Sequence, residues 1–192
     1  MIADYKELED RIRGMTVLIV GGAPSASNLT AKQYNEYDVI IRINNFKYAN
    51  ECKRTDYWFS YFGNNIKRVE ERIQEENIKN IICKYPINEE FGWTHELRKT
   101  IWTQDLNVFI PTEKESFQTN NLYKISPTAG LACIIAVLRG KPSLLRIIGF
   151  DFFETKVHNL DEKWDESGGH EMIKEKGIVT MLVNSGEIEW LK

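Results

Sequence analysis

Short runs of apolar, mostly β-branched residues alternate with helical segments along nearly the whole chain, and this alternation restricts the fold more than any other feature. The clearest run is Thr16–Val20, which stops abruptly at Gly21 and Gly22. A short apolar run bounded by glycines is typical of a strand that is buried on both faces. Strands separated by helices predict an α/β fold, with a mainly parallel sheet flanked by helices on both faces.

The same patterns divide the rest of the chain into elements. Further strands are predicted at Asp38–Ile43, Tyr57–Tyr61, Asn80–Cys83, Asn107–Ile110, Leu144–Ile148 and Glu187–Leu191. Helices are predicted at Asp4–Arg13, Asn65–Glu76, Glu89–Thr103 and Gly169–Val183, of which the highly charged second is expected to be exposed. Pro111–Lys124 shows no periodicity and is predicted to be a loop. Ligands of parallel sheets bind beyond the carboxyl ends of the strands, so residues that follow strands are the candidates for a site.

Composition excludes several classes of protein. A length of 192 residues fits one domain, residues 1–192, in which residues 1–14 form an N-terminal helix. No apolar run approaches the ~20 residues that a membrane span requires. The net charge of −3, with acidic and basic residues interspersed, argues against non-specific nucleic-acid binding. The polar N-terminus has no signal or transit pattern, so we expect a cytoplasmic protein.

The cysteines indicate a reducing compartment. Cys52, Cys83 and Cys133 are widely spaced and form no CxxC pair, which is typical of free thiols. Cys133 lies in an apolar helical stretch and is expected to pack in the core.

The turn that follows the first apolar run is the first candidate binding segment. Backbone N–H groups of Gly21, Gly22 and Ala23, together with the Ser25 hydroxyl, can hold phosphate oxygens. An ordinary tight turn explains the two glycines equally well. A dinucleotide site is disfavoured, because the chain has neither the GxGxxG spacing nor the acidic residue expected about 20 residues further on.

The end of the next predicted strand carries the second candidate segment, which includes Asn45. Alternation places Arg42 and Asn44 on the same side of the strand, where a guanidinium and an amide suit phosphate, ribose or base recognition. The alternative is structural: Arg42 pairs with a carboxylate such as Asp56, and Asn44 caps a turn.

The third candidate is the start of the helix after residue 125. Ser126 is expected to be its N-cap and Pro127 its first residue. Free N–H groups and the helix dipole make such a start a natural anion site. Capping leaves Thr128 and Gly130 unexplained. A small residue there admits either a ligand or a neighbouring helix.

His170 is the candidate catalytic residue. It lies beside Gly169 at a predicted helix start, where the helix dipole disfavours the imidazolium and leaves the imidazole able to accept a proton. The alternative is a surface histidine in a turn. A metal site is not indicated, because the spacing of His158, Asp161, Asp165 and His170 matches no ligand motif.

In this order, the segments resemble the motifs of the sialyltransferases. Leu18–Phe46 resembles the family's large motif, in which a strand, a glycine turn and a later Arg-x-Asn bind a cytidine monophosphate (CMP) donor. The stretch from Pro127–Gly130 through Gly149–Asp151 resembles the small motif. His170 and Glu175 match the very small motif, a histidine followed five residues later by glutamate. A looser match at His158 resembles an intervening His motif.

The resemblance implies a Rossmann-like, GT-A-type domain that transfers a sugar, sialic acid or a related one, from a CMP-activated donor to a glycan acceptor hydroxyl. Transfer would invert the anomeric centre without metal or other cofactor, His170 would be the general base, and His158 and Glu175 would have secondary roles. The residues implied in donor binding are Gly21, Gly22, Ala23, Ser25, Arg42, Asn44, Asn45, Thr128, Ala129, Gly130, Phe150 and Asp151. A bacterial enzyme of polysaccharide biosynthesis fits these features.

The chain also departs from the family pattern. Gly22 stands where the family has an asparagine, and no cysteine precedes the first predicted strand, so the disulfide of the animal enzymes cannot form. The donor could therefore be CMP-sialic acid, CMP-Kdo or another activated sugar. A non-catalytic nucleotide-binding module is a second alternative. A nucleotide-dependent oxidoreductase or methyltransferase is disfavoured by Arg42-x-Asn44.

Replacing His170 with alanine tests the implied base. A positioned general base typically contributes about 10²–10⁴-fold to a rate, so His170→Ala is expected to slow transfer by that factor while CMP binding is retained. Transfer rates and CMP affinity of the two proteins measure this. A variant that reacts at the wild-type rate would show that His170 is not the base.

Overall fold

Eight parallel strands form one sheet in a computed structural model of the chain, which describes residues 1–44, 46, 52–62, 69–86, 105–116, 124–152, 154, 157–158, 162–163 and 171–192. The strands are β1 (Ile2–Asp4), β2 (Thr16–Val20), β3 (Val39–Ile43), β4 (Tyr57–Ser60), β5 (Asn80–Cys83), β6 (Asn107–Ile110), β7 (Leu144–Ile148) and β10 (Glu189–Trp190). Their order is β1-β6-β5-β4-β3-β2-β7-β10. A separate antiparallel pair consists of β8 (Val157–His158) and β9 (Glu162–Lys163).

Helices cover both faces of the sheet. They are α1 (Tyr5–Ile12), a 3₁₀ helix (Pro24–Asn28), α2 (Ala31–Tyr34), α3 (Val69–Glu75), α4 (Ala129–Arg139) and α5 (Met172–Asn184). Along β2, Val17 and Ile19 pack into the core that contains α1, α4 and α5. Leu18 and Val20 point to the opposite face, into a cluster that includes Tyr34 of α2. Because side chains alternate along a strand, a strand covered on both faces must be apolar along its covered length, as β2 is from Val17 to Val20. The predicted α/β class is confirmed.

The order of the strands defines where a ligand crevice is expected. After β2 the chain builds the sheet outward through β3, β4, β5 and β6, and then returns to place β7 on the other side of β2. The strand order therefore reverses between β2 and β7. Crevices of open parallel sheets form at such switch points, beyond the carboxyl ends of the strands. Here those ends carry Gly21, Gly22 and Gly149.

Several predicted elements have the observed bounds, and others do not. The strands predicted at Thr16–Val20, Asn80–Cys83, Asn107–Ile110 and Leu144–Ile148 are confirmed residue for residue. Strand β1 was not predicted, because three residues carry no period and their partner β6 lies about a hundred residues away. Residues 113–116 form a helical turn inside the segment predicted as loop. The helix predicted at Glu89–Thr103 falls outside the described residues.

The expectation that the charged helix at Asn65–Glu76, observed as α3, is exposed holds for one face only, which carries Glu71 and Glu75. Val69 and Ile73 are only 2% exposed and pack against Trp58 and Ile81 in a second core cluster. Charge content misleads here, because a helix needs only one apolar stripe to dock on a sheet.

All three cysteines are free and buried, and Cys133 lies in the main core as predicted. Burial raises the pKa of the Cys83 and Cys133 thiols well above the usual value. None of the helices in the described part of the chain is long and apolar enough to cross a bilayer.

Strands β2 and β7 stay in contact beyond their last residues through a pair of glycines. The Gly21 N–H donates to the carbonyl of Ile148 at 2.8 Å, and the Ala23 N–H donates to the carbonyl of Gly149 at 2.9 Å. A side chain at Gly21 would overlap the Gly149 carbonyl, and Gly149 has a positive φ of 74°. Glycine is therefore required at both positions for steric reasons.

We predict that Gly21→Ala destabilises the protein by about 1–3 kcal/mol, the usual cost of forcing atoms into a packed interior. Gly177→Ala is the matched control, because a Cβ at Gly177, inside α5, meets nothing within 4 Å. That control is expected to gain about 0.5–1 kcal/mol, since alanine favours a helix interior over glycine. Urea unfolding of both variants measures the two effects, and equal shifts would contradict the steric explanation.

Candidate functional site

In the turn after β2, some of the backbone N–H groups that were predicted to bind phosphate are hydrogen-bonded within the sheet instead. The N–H groups of Gly21 and Ala23 are bonded to the end of β7, as described above. Among the described residues, neither the Gly22 N–H nor the Ser25 hydroxyl has a hydrogen-bond partner. These two groups are therefore the available donors of the glycine turn.

Phe150 explains two of the glycines that the sequence singles out. Its ring is half-buried between the glycine turn and the start of α4. A Cβ added at Gly130 would lie 2.8 Å from Phe150 Cε1, and one added at Gly21 would lie 3.3 Å from Cδ2. The small residue at the start of α4 thus makes room for an aromatic ring.

The start of α4 differs from the prediction. Ser126 and Pro127 precede the helix, and Thr128 is its N-cap, with Oγ1 accepting the Leu131 N–H at 3.3 Å. The prediction that Ser126 caps the helix and Pro127 begins it is therefore wrong. The N–H groups of Ala129 and Gly130, in the first turn, have no hydrogen-bond partner among the described residues. They are the orphan donors that can bind an anion at a helix start.

A buried carboxylate determines which residue caps α4. Glu175, in the first turn of α5, is only 1% exposed. Its Oε1 accepts the Thr128 N–H at 2.7 Å, and its Oε2 accepts the Thr128 hydroxyl at 2.6 Å. Thr128 Oγ1 can therefore donate its one proton to Glu175 while one of its lone pairs accepts from the Leu131 N–H. Two predicted motif segments, separated by 47 positions, meet in this contact.

Arg42 lies in the interior of the protein. It is 2% exposed, and its guanidinium donates to the carbonyls of Cys52 and Arg54 at 3.0 and 3.2 Å. The guanidinium carbon also lies over the Tyr34 ring, 5.2 Å from its centroid. The expected alternative pairing of Arg42 with Asp56 is wrong, because Asp56 pairs with Arg54 at 2.8 Å. These contacts hold the segment between β3 and β4, and direct donor binding by Arg42 stays a prediction.

Asn44 directly follows β3 and has a left-handed conformation, with φ of 51°. Its N–H donates to Phe59 at 2.9 Å, its carbonyl accepts the indole N–H of Trp58 at 2.7 Å, and its side-chain Oδ1 accepts the Ser60 hydroxyl at 3.4 Å. Asparagine tolerates this backbone conformation better than most residues do. The half-buried amide stands at the same sheet edge as the glycine turn.

The remaining predicted residues are placed as follows. Asp151 is half-buried and directly follows Phe150, and the backbone of His158 pairs with that of Glu162. His170 and Asn45 lie outside the described residues, so their roles stay predictions. No group of three potential metal ligands occurs within the described ranges.

Sequence reasoning missed a buried lysine at the same sheet edge. Lys84 directly follows β5 and is 8% exposed. A lysine that follows a buried strand is the only signal in the sequence, and it is a weak one because most lysines are exposed.

The chain matches no protein-family model and no curated protein sequence. It does match solved structures. The sialyltransferase CstII from Campylobacter jejuni, in complex with the substrate analogue CMP-3FNeuAc, has a TM-score of 0.58 and 16% identity over 92% of this chain and 80% of that chain. The monofunctional alpha-2,3-sialyltransferase Cst-I from Campylobacter jejuni has a TM-score of 0.60 and 17% identity, covering 91% and 74%. A mammalian sialyltransferase has a TM-score of 0.60 and 14% identity, covering 98% and 78%.

The resemblance inferred from the motifs is therefore confirmed at the level of fold. The chain has a sialyltransferase-like, Rossmann-type α/β fold, and the similarity covers almost its whole length.

We predict that Glu175→Gln lowers the free energy of unfolding by about 1.5–3 kcal/mol, the usual size of hydrogen bonds to a charged group. The glutamine amide keeps one oxygen and sets an NH₂ against one of the two Thr128 donors. Urea unfolding measures the loss.

Glu171→Gln is the matched control, because Glu171 is an exposed carboxylate at the start of the same helix. It is expected to change stability by no more than about 0.5 kcal/mol. Equal effects of the two substitutions would show that the Thr128 contact contributes nothing special.

Proposed function

We propose that the chain is a glycosyltransferase that moves sialic acid or a related sugar from a CMP-activated donor to a hydroxyl of a glycan acceptor. One observation carries the proposal: the glycine turn, the start of α4 and Glu175 of α5 form a connected network at the switch point of the sheet. These are the segments in which the sequence resembles the sialyltransferase motifs. The neighbouring structures include a CstII variant in complex with CMP.

In this proposal, backbone donors bind the phosphate of the donor. The N–H groups of Gly22, Ala129 and Gly130 have no partner among the described residues, and those of Ala129 and Gly130 lie at the positive end of the α4 dipole. Negative charge builds on the phosphate as CMP leaves, and preorganised N–H groups stabilise it. A glycine in place of the family asparagine removes a side chain from this turn and leaves its backbone donor in place.

His170 acts as the base in the proposed reaction. The acceptor oxygen forms a bond to the anomeric carbon while its proton passes to the His170 imidazole. The bond between that carbon and the CMP phosphate oxygen breaks, and its electron pair leaves with CMP. Attack opposite the leaving group inverts the anomeric centre. No step requires a metal or a further cofactor.

The rest of the proposal concerns the setting of the reaction. Residues 1–192 act as one catalytic domain in bacterial polysaccharide biosynthesis, in the cytoplasm. The alternative is a nucleotide-binding module without turnover, which is favoured by glycine at position 22 in place of the family asparagine.

Thermal-shift titration with CMP, UMP, GDP and NAD, without metal, tests the donor site. CMP is expected to stabilise the protein by about 2.7 kcal/mol at a hundred times its dissociation constant. Stabilisation by another nucleotide instead would indicate a donor activated by that nucleotide. No stabilisation by any of the four would overturn the proposal. CMP binding without any turnover would favour the module.

A pair of serines in the 3₁₀ helix localises CMP binding. The Ser25 hydroxyl has no partner among the described residues, whereas the Ser27 hydroxyl donates to the Pro24 carbonyl at 2.7 Å. Ser25→Ala is expected to weaken CMP binding about tenfold, the size of one hydrogen bond to a charged group. Ser27→Ala is expected to leave it unchanged, and equal effects would place the phosphate elsewhere.

A further inference from the structure

Ser60, the last residue of β4, carries a hydroxyl that solvent does not reach. The residue is 0% exposed, and β4 lies next to β3 in the sheet. The hydroxyl oxygen accepts the Phe62 N–H at 3.1 Å, and the hydroxyl donates its proton to Oδ1 of Asn44 at 3.4 Å. Ser60 therefore links the carboxyl end of β4 to the Asn44 side chain.

The orientation of the Asn44 amide follows from the position of the Ser60 proton. A reversed amide would set its NH₂ group against the hydroxyl and leave the hydroxyl proton without an acceptor among the described residues. A buried donor without a partner is unfavourable. The observed orientation gives the proton an acceptor, and the NH₂ group then lies on the other side of the amide.

The backbone around this amide is held in an uncommon conformation. Asn44 has a φ of 51°, and its N–H and carbonyl are bonded to Phe59 and to the Trp58 indole. Phe62, the second partner of Ser60, has a φ of 49°. Positive φ is an outlier for a bulky residue, and such conformations persist where the surrounding contacts enforce them, often at binding sites. One buried hydroxyl thus bonds to both left-handed residues.

The Asn44 NH₂ group has no hydrogen-bond partner in the part of the chain that the structure describes. In the register of β2 and β3, Val20 lies opposite Arg42, so Gly22 and Asn44 each lie two residues beyond this pair. The Gly22 N–H is also without a partner among the described residues. Two neighbouring strand ends therefore offer donors at one edge, and a ligand there needs acceptor oxygens.

We propose that Ser60 is a positioning residue of the nucleotide site: its hydroxyl holds the Asn44 amide so that the NH₂ group donates to an oxygen of the bound nucleotide. The inference rests on the proposed function and deepens it, because Ser60 lies outside the segments that resemble the family motifs. The phosphate, ribose and base of a nucleotide all carry such oxygens. A reversed amide would set Oδ1 against the same oxygen and repel it.

A double-mutant cycle on CMP affinity tests whether Ser60 acts through Asn44. Ser60→Ala is expected to weaken CMP binding about three- to tenfold, the size of one neutral hydrogen bond, because the amide is no longer held. Asn44→Gly removes the amide and still permits the left-handed backbone. In that background, Ser60→Ala is expected to change CMP affinity by no more than about twofold. An equal loss in both backgrounds, or no loss in the wild-type background, would overturn the proposal.

Ser185→Ala is the matched control for the loss of a serine hydroxyl. The Ser185 hydroxyl also donates within the protein, to the Leu182 carbonyl at 3.0 Å, but it lies at the C-terminal end of α5. CMP affinity is expected to be unchanged in this variant. If Ser185→Ala weakens CMP binding as much as Ser60→Ala does, the Ser60 hydroxyl has no specific role and the proposal is wrong.

Asn44→Asp tests the orientation of the amide without altering Ser60. The carboxylate still accepts the Ser60 proton, but an oxygen replaces the NH₂ group, so CMP binding is expected to weaken about tenfold or more. Calorimetric titration with CMP and with cytidine measures this. A loss for CMP alone assigns the acceptor oxygen to the phosphate, and a loss for both assigns it to the nucleoside. Unchanged CMP affinity contradicts the proposal, and this variant decides the question if the melting temperature shows that Ser60→Ala does not fold.

The same titrations separate this inference from the proposed function. CMP binding without coupling between Ser60 and Asn44 overturns the role of Ser60 and leaves the glycosyltransferase proposal standing. Coupling measured with UMP or GDP, in a protein that does not bind CMP, overturns the CMP donor and leaves Ser60 as a positioning residue. No binding of any nucleotide overturns both.

Discussion

The close approach of two backbone turns, at Gly21 after β2 and at Gly149 after β7, is the constraint on which the candidate site depends. It extends the contact between these strands beyond their last residues, at the point where the strand order reverses. Phe150, the next residue after Gly149, then packs against Gly21 and Gly130. A larger residue at any of the three glycines would separate β2, β7 and α4. Close packing of the backbone is therefore sufficient to explain the three glycines, whether or not a ligand binds at this edge.

Hydrogen bonding at the same edge divides the polar groups into two sets. Glu175 takes up both donors of Thr128, and the sheet takes up the N–H groups of Gly21 and Ala23. Those groups hold the framework and are not available to a ligand. A second set, the N–H groups of Gly22, Ala129 and Gly130, has no partner among the described residues. A rigid, satisfied framework around a few unsatisfied donors is what preorganised binding of an anion requires.

The strands were the most predictable part of the fold. Strands β2, β5, β6 and β7 are short runs of mostly apolar residues, and this signal is complete within four or five residues. The start of α4 was not predictable in the same way. Ser126 and Pro127 form a good local capping pattern, yet Thr128 is the cap, because Glu175 binds it from another helix. Strand β1 depends in the same way on a distant partner.

The sequence by itself determined the α/β class, the positions of four strands, and the sheet edge at which the motif segments end. Those features follow from the periodicity of apolar residues and from the glycines and prolines that end the elements, which are local properties of the chain. Only the tertiary structure decided that Arg42 lies in the interior, that Gly130 makes room for a ring, and that Lys84 is buried. Each of these depends on contacts between segments that are far apart in the chain, and local sequence patterns do not predict which segments come into contact.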